Sequence, residues 1–104
     1  MPSLNYNEGK PRPSLVLSDM PKAFNELLRV REMGAQKYDR LNWAESIGEP
    51  EEKEWLEYNL DSIYRHLISL EDGPLDNESK CHHLAHVAIR AMMGLEYYYA
   101  DKIN

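Results

Sequence analysis

The chain has 104 residues, and its 18 acidic and 12 basic side chains give a formal net charge of −6. This balance argues against a general nucleic-acid-binding protein, which usually presents a basic surface. The single cysteine, Cys81, cannot form an intramolecular disulfide, and no stretch approaches the roughly 18 apolar residues that cross a membrane. We therefore expect one domain in a reducing cytoplasm, without a signal peptide or a membrane span.

The N-terminal part of the chain is predicted to be extended and then helical. Residues 1–17 contain three prolines and no helical periodicity, so they are predicted to be extended or looped. Apolar residues then recur at helical spacing over residues 19–39, with Pro21 in the first turn. This pattern predicts a first helix, followed by a loop at residues 40–50.

Two further helices are predicted in the second half of the chain. The second begins at Glu51 and ends at Gly73, and its apolar stripe comprises Leu56, Leu60, Ile63, Leu67 and Leu70. A turn in which Asp76 or Asn77 can cap the next helix leads into a third helix at residues 78–101. The predicted core stripe of this third helix comprises Leu84, Val87, Ala88, Ala91, Leu95 and Tyr98.

These elements predict a small all-α domain, a bundle of three helices or of four. Residues 1–104 are expected to form a single domain, with residues 18–104 as the helical core behind the extended segment. The chain has seven tyrosines and two tryptophans, and a core of this size is modest. We therefore predict a homo-oligomer in which the tyrosine-rich end of the third helix contributes to the interface.

The histidines are the residues at which chemistry is most expected. All four lie within 21 residues, at positions His66, His82, His83 and His86. Placed around the third helix at 100° per residue, His83 and His86 share a stripe with Arg90 and Tyr97 beside the predicted core, whereas His82 points elsewhere. If the second and third helices are antiparallel, as their short connection favours, His66 lies close to His83.

Three interpretations of this cluster follow. One is a metal site in which His83 and His86 are joined by His66 or by an aspartate. Another is an anion site in which Arg65, Arg90 and the histidines bind phosphates. The third is that the histidines are structural, hydrogen-bonded to the backbone or to acids beside the helix interface.

Other candidate binding residues lie outside the histidine cluster. Lys10 and Arg12 occupy a segment that prolines stiffen, which would reduce the ordering entropy lost on binding a phosphate; the alternative is a solvated tail. Asn42 and Trp43 could bind a base by hydrogen bonding and stacking, although Trp43 could equally close the end of the bundle.

Five short motifs occur in order along the chain: N-x-G-K-P-R at residues 7–12, G-A-x-K-Y at 34–38, N-W at 42–43, R-H-L at 65–67, and D-x-E-S leading into H-L-A-H at 76–86. Together they resemble a family common in bacteriophage genomes, the N-terminal domain of dATP/dGTP diphosphohydrolase. The resemblance spans about residues 5–95. The sequence departs from the family pattern at His82, at Arg90, near which the family often has asparagine, and in the loop at residues 47–54.

The resemblance implies a phage-type protein that binds purine (deoxy)nucleotides in the host bacterial cytoplasm. It could hydrolyse dATP or dGTP to the monophosphate and pyrophosphate, or it could be a non-catalytic protein that sequesters a nucleotide or regulates a partner, for example against host defence. Neither a nucleic-acid polymer nor a membrane is an expected partner.

The resemblance also implies three groups of site residues. The expected catalytic residues are His66, His83 and His86. A divalent metal (magnesium, manganese or zinc) would be bound by His83, His86 and Asp76. The expected substrate-binding residues are Lys10, Arg12, Lys37, Asn42, Trp43 and Arg65, and the helical projection adds Arg90.

Overall fold

A computed structural model describes residues 8–103, with side chains described to residue 100. The prediction of an all-α fold is confirmed. The helices are α1 (Ser14–Leu17), α2 (Pro21–Lys37), α3 (Glu52–Ser69) and α4 (His83–Ile103), with single 3-10 turns at Asn42–Ala44 and Leu70–Asp72. Within residues 8–103 there is no strand. None of the described helices is long and apolar enough to cross a membrane.

The N-terminal segment is only partly extended. Residues 1–7 lie outside the described part of the chain, and residues 8–20 are exposed throughout. Ser14–Leu17 form a single helical turn, in which the Leu15 and Val16 amides donate to the carbonyls of Arg12 and Pro13 at 3.0 Å. The expectation of an extended or looped conformation is therefore wrong for these four residues, because Pro13 already has the backbone angles that start a helix.

Helices α2 and α3 lie close to where the sequence predicts them. Pro21 occupies the first turn of α2, where its missing N–H costs no hydrogen bond. Helix α3 begins with Glu52 and Glu54, whose negative charges favour the positive end of the helix dipole. The Glu52 carboxylate also accepts a hydrogen bond from the Gly48 amide at 2.9 Å, which fixes the loop before the helix.

Helix α4 begins five residues later than predicted, and neither Asp76 nor Asn77 caps it. Residues 75–82 instead form a closed loop, with an isolated bridge between Leu75 and His82. Lys80 adopts a positive φ of 63° within this loop, a conformation incompatible with a continuing right-handed helix. The His82 side chain caps α4, because its Nδ1 accepts a hydrogen bond from the Leu84 amide at 3.0 Å.

The predicted core stripe of α4 is largely on the outside of the chain. Leu84, Leu95 and Tyr98 are each more than half exposed, whereas the buried side chains of this helix are His83, Ala85, Ile89 and Tyr97. Helix α3 is similar, since its buried residues are Asn59 and Ser62. Periodicity correctly locates the apolar face of each helix, but the rest of the chain packs against the neighbouring, more polar face.

Helix α4 is the central element and contacts both α2 and α3. Asn59 of α3 donates from its side-chain amide to the Arg90 carbonyl at 2.9 Å. The Tyr97 ring stacks on Trp55 with ring centroids 4.1 Å apart, and its hydroxyl donates to the Trp43 carbonyl. These contacts hold the 3-10 turn and α3 against the polar face of α4, and they frame the site described next.

Candidate functional site

A cleft of about 840 Å³ opens between α2, the Asn42–Ala44 turn, α3 and α4. Seven of the residues singled out from the sequence line it: Lys37, Asn42, Trp43, His66, Asp76, His86 and Arg90. They come from five separate stretches of the chain, so only the fold brings them together.

Four other candidates do not line the cleft. Lys10 and Arg12 are exposed on the N-terminal segment, and Arg65 is exposed on α3. His83 is buried, with 6% of its surface accessible, and it lies behind His66 rather than in the cleft wall. The cleft is therefore lined by His66 and His86 together with residues of the Lys37–Trp43 region. Lys10 and Arg12 lie outside it.

His66, Asp76 and His86 converge in the wall of the cleft. One ligand atom from each lies within 4.8 Å of the others, and all three side chains are partly exposed. The two imidazole rings are nearly parallel, with an interplanar angle of 4° and centroids 4.4 Å apart. Two imidazole nitrogens and one carboxylate oxygen form a donor set that borderline divalent metals accept. The geometry thus favours His66, rather than the predicted His83, as the metal ligand beside His86 and Asp76.

His83 contacts His66 from inside the protein. Their Nδ1 atoms are 2.9 Å apart, so one of the two must carry the shared proton. This contact confirms the expectation that the two histidines are neighbours across the α3–α4 pair. A buried partner on one nitrogen fixes the orientation of the His66 ring, as outer hydrogen-bond partners do for metal-binding histidines.

Ser79 orients both remaining members of the cluster, and it was not among the predicted site residues. Its amide donates to Asp76 Oδ2 at 2.8 Å, and its Oγ lies 2.6 Å from His86 Nε2. The same Oγ accepts from the Cys81 amide at 3.1 Å. The D-x-E-S motif contains this serine, but only the closed loop at residues 75–82 turns it towards α4.

The protonation of the cluster suits cation binding at neutral pH. Burial lowers the pKa of His66, and the neighbouring His86 lowers it further. Burial likewise lowers the pKa of His86. For Asp76, burial acts to raise the pKa, but hydrogen bonds from Ser79 outweigh it and the carboxyl pKa is below its ordinary value. Two neutral imidazoles and an ionised carboxylate result.

Two cations of the cleft, Lys37 and Arg90, have acidic or aromatic partners, whereas a third, Arg31, donates from Nη2 to the Arg40 carbonyl at 3.1 Å. Lys37 Nζ lies 3.0 Å from Glu78 Oε1 in an exposed ion pair, and this hydrogen bond raises the Lys37 pKa. The Arg90 guanidinium lies 5.4 Å from the centre of the Tyr58 ring, and its Nη1 lies 3.5 Å from Asn59 Oδ1. Lys37 and Arg90 both border the cleft.

Trp43 forms part of the cleft wall next to Tyr97, with ring centroids 6.3 Å apart. Its Nε1 is buried and has no hydrogen-bond partner among the described residues. Trp43 therefore packs within the bundle, which was one of the two alternatives predicted for it. Part of the residue also lines the cleft.

The sequence model of a protein family described as dATP/dGTP diphosphohydrolase, N-terminal, matches residues 1–103. The chain belongs to this family. A relative from Salmonella phage PMBT28, named dATP/dGTP diphosphohydrolase, is 34% identical over 89 residues. Those residues make up 85% of this chain but 27% of the relative, so the chain spans about a quarter of the relative's length. No solved structure matches the chain.

The motifs shared with the dATP/dGTP diphosphohydrolase N-terminal family do not all meet in one place. The G-A-x-K-Y, N-W, R-H-L and H-L-A-H motifs each contribute at least one side chain to the cleft. The N-x-G-K-P-R motif contributes none of its described residues, 8–12. Within the described chain, the cleft is therefore the place where most of the motifs converge.

Proposed function

We propose that this domain binds the phosphates of a purine (deoxy)nucleotide through a divalent metal, and that it hydrolyses dATP and dGTP. The observation that carries the proposal is the convergence of His66, Asp76 and His86 within 4.8 Å in the wall of a cleft that also contains Arg90. The names of the family and of the phage relative supply the substrate class. The site of action would be the host bacterial cytoplasm.

The metal part of the proposal rests on how the imidazoles are hydrogen-bonded. If His66 Nδ1–H donates to His83 and His86 Nε2–H donates to Ser79, the other nitrogen of each ring has a lone pair for the metal. Magnesium and manganese prefer oxygen ligands, so two imidazoles favour zinc. The ligands come from three separate points of the chain, which agrees with a site that forms only on folding.

The phosphate part rests on the cations at the cleft. Arg90 can bind phosphate oxygens in a bidentate manner, and Lys37 can exchange its exposed Glu78 partner for a phosphate. Asn42 and Trp43 lie in the same cleft wall, where a purine could be hydrogen-bonded and stacked. In this proposal His83 orients His66, and Ser79 orients Asp76 and His86.

The proposed reaction is hydrolysis of the bond between the α and β phosphates. A metal would lower the pKa of a bound water and neutralise phosphate charge. The water oxygen attacks the α phosphorus, the bond from that phosphorus to the bridging oxygen breaks, and pyrophosphate leaves. One water is consumed, and the products are the nucleoside monophosphate and pyrophosphate.

A second candidate is nucleotide binding without turnover, as in a sequestering or regulatory protein. Two observations favour it. The cluster contains a single carboxylate, and the chain spans only 27% of the relative named as the hydrolase. Catalytic groups could then lie in the remaining part of such longer proteins, with this domain supplying affinity.

Calorimetry with manganese and zinc, followed by product analysis with dATP and dGTP, tests the proposal. We expect one metal per chain, and we expect His86→Ala to weaken metal binding by at least about 100-fold, since even the loss of an outer partner costs 10- to 100-fold. The matched control is His82→Asn, which removes an imidazole from the same segment while keeping an acceptor for the Leu84 amide.

The outcomes separate the two candidates. Release of pyrophosphate that requires the metal and His86 supports the enzyme. Metal-dependent nucleotide affinity without product supports the binding protein. If neither metal binds, or if His86→Ala binds metal as tightly as the parent chain, the metal proposal is wrong.

A further inference from the structure

Among the side chains described to residue 100, those on the face of α4 that points away from the cleft carry no charge. Its exposed residues cover an arc of about 120° around the helix, as judged from 100° per residue. They are Leu84, Ala91, Met92, Leu95, Tyr98 and Tyr99. An uncharged face of this length on an exposed helix is unusual, because a surface helix normally carries polar side chains on its solvent side. We call it the outer face of α4.

The outer face continues into a groove that α3 completes. Leu56, Leu60 and Ile63 of α3 line this groove opposite residues of the outer face, and its volume is about 940 Å³. The charged residues in its lining are Glu52, which accepts from the Gly48 amide, and Arg90, which lies over Tyr58. The apolar stripes of both helices therefore meet on one side of the chain.

The exposed area of the chain is too large for a compact monomer. A folded protein of 12.2 kDa exposes about 6,100 Å², whereas this chain exposes 8341 Å². Its radius of gyration is 16.6 Å, compared with about 13 Å for a compact domain of this length. The exposed leucine, methionine and tyrosine side chains of the outer face contribute to this area, and a standard interface needs only about 800 Å² from each partner.

We infer that a second copy of this chain packs against the outer face of α4 and the adjoining groove. Two chains of net charge −6 repel each other overall, and this repulsion is weakest where their surfaces carry no charge. A two-fold axis through this face sets apolar side chains against their own copies without opposing like charges. The α3–α4 pairs of the two copies then form a four-helix arrangement, whose core consists of the stripes that each chain leaves exposed.

Sedimentation velocity of the 104-residue chain across the micromolar range tests this inference. We expect a dimer of twice 12.2 kDa for the parent chain, and a monomer that keeps its helical circular dichroism for Leu95→Glu. The matched control is Ile68→Glu, which places the same charge on α3 at a more exposed position outside the groove. This control is expected to remain a dimer.

A milder substitution at the same position tests the inference if Leu95→Glu unfolds the chain. Leu95→Ala removes apolar contact from both copies at once, so we expect the dimer dissociation constant to rise at least about tenfold without loss of helicity. A parent chain that stays monomeric throughout the range overturns the inference, and this outcome would assign the face to another protein or to a further domain. A dimer that Leu95→Glu and Leu95→Ala leave unchanged overturns it as well.

Discussion

The inner and outer faces of α4 have opposite chemical character. The inner face presents His83, His86, Arg90 and Tyr97 to the rest of the chain, and it forms one wall of the cleft. The outer face presents leucine, alanine, methionine and tyrosine side chains to solvent. In most helices of soluble proteins the arrangement is the reverse, with the apolar face inward and the polar face outward.

The two faces of α4 therefore contribute differently, one to the geometry of the site and the other to stability. The inner face holds two imidazoles, a guanidinium and a phenol in fixed positions, and each of these groups needs a partner, which His66, Ser79, Asn59 and the backbone supply. The outer face is mostly apolar and derives its stabilisation from burial of apolar area, which within a single chain is incomplete. Site geometry therefore depends on the first face, and much of the stability is expected to depend on the second.

The largest expected effect compares adjacent tyrosines on the two faces. Tyr97 has 1% of its surface accessible and stacks on Trp55, whereas Tyr98 is 57% exposed. Tyr97→Ala should lower the free energy of unfolding by about 3–5 kcal/mol, as loss of a buried aromatic ring does. Tyr98→Ala should cost about 1 kcal/mol or less in the dilute chain. Urea unfolding at low protein concentration measures both values, and equal losses would contradict the assignment of the two faces.

A smaller effect is expected from pH, and it concerns the inner face alone. The folded-state pKa values of His66 and His86 lie below the ordinary value of 6.5, so the folded chain binds fewer protons than the unfolded chain near that pH. The free energy of unfolding of the metal-free protein should therefore be highest above pH 6.5. It should decrease as the pH falls through the folded-state pKa values.

Urea unfolding between pH 8 and pH 5, at one protein concentration, checks the pH dependence. His86→Asn should make the decrease shallower, because it removes one titrating group and relieves the effect of that group on His66. His82→Asn, our control within the same segment, should leave the slope unchanged. A parent chain equally stable at both ends of the range would disprove the expectation.

The smallest expected effect compares a glycine on each side of the molecule. A methyl group at Gly34, beside the cleft, would meet nothing within 4 Å, and one at Gly94, in the groove, would meet only the Asn59 side chain at 3.5 Å. Because both lie within helices, Gly34→Ala and Gly94→Ala should each stabilise the chain by about 0.5–1 kcal/mol. Thermal unfolding at low concentration measures these changes, and destabilisation at either site would contradict the described packing.

Much of the helical architecture could be predicted from the sequence. The apolar periodicity and Pro21 located α2 and α3 to within a few residues, because both are local signals. The closed loop before α4 was missed, since its hydrogen bonds join residues such as Asp76 and Cys81 in a pattern without a helical period. Which face of α4 is covered was also missed, because a single sequence does not reveal whether an apolar stripe packs within the chain or between chains.

The candidate site was predicted in part. The proximity of His66 and His83 followed from the antiparallel α3–α4 pair, and the stripe of His86 and Arg90 followed from the helical projection. The separation of Arg65 from the cleft could not be read from its position next to His66, because adjacent residues of a helix point about 100° apart. Ser79 could not be assigned a role either, because a serine in a turn has many local partners.

Arg90 is the one described residue that lines both the cleft and the groove. Arg90 could therefore couple ligand binding in the cleft to the packing of a second chain against the groove. A ligand whose phosphate draws this guanidinium towards the histidines changes the wall against which a second chain would pack. If the ligand binds the monomer and the dimer with different affinities, it shifts the monomer–dimer equilibrium. Dimerisation then changes the ligand affinity by the same factor. Titrating nucleotide at two protein concentrations would reveal this cooperativity as a shift in apparent affinity.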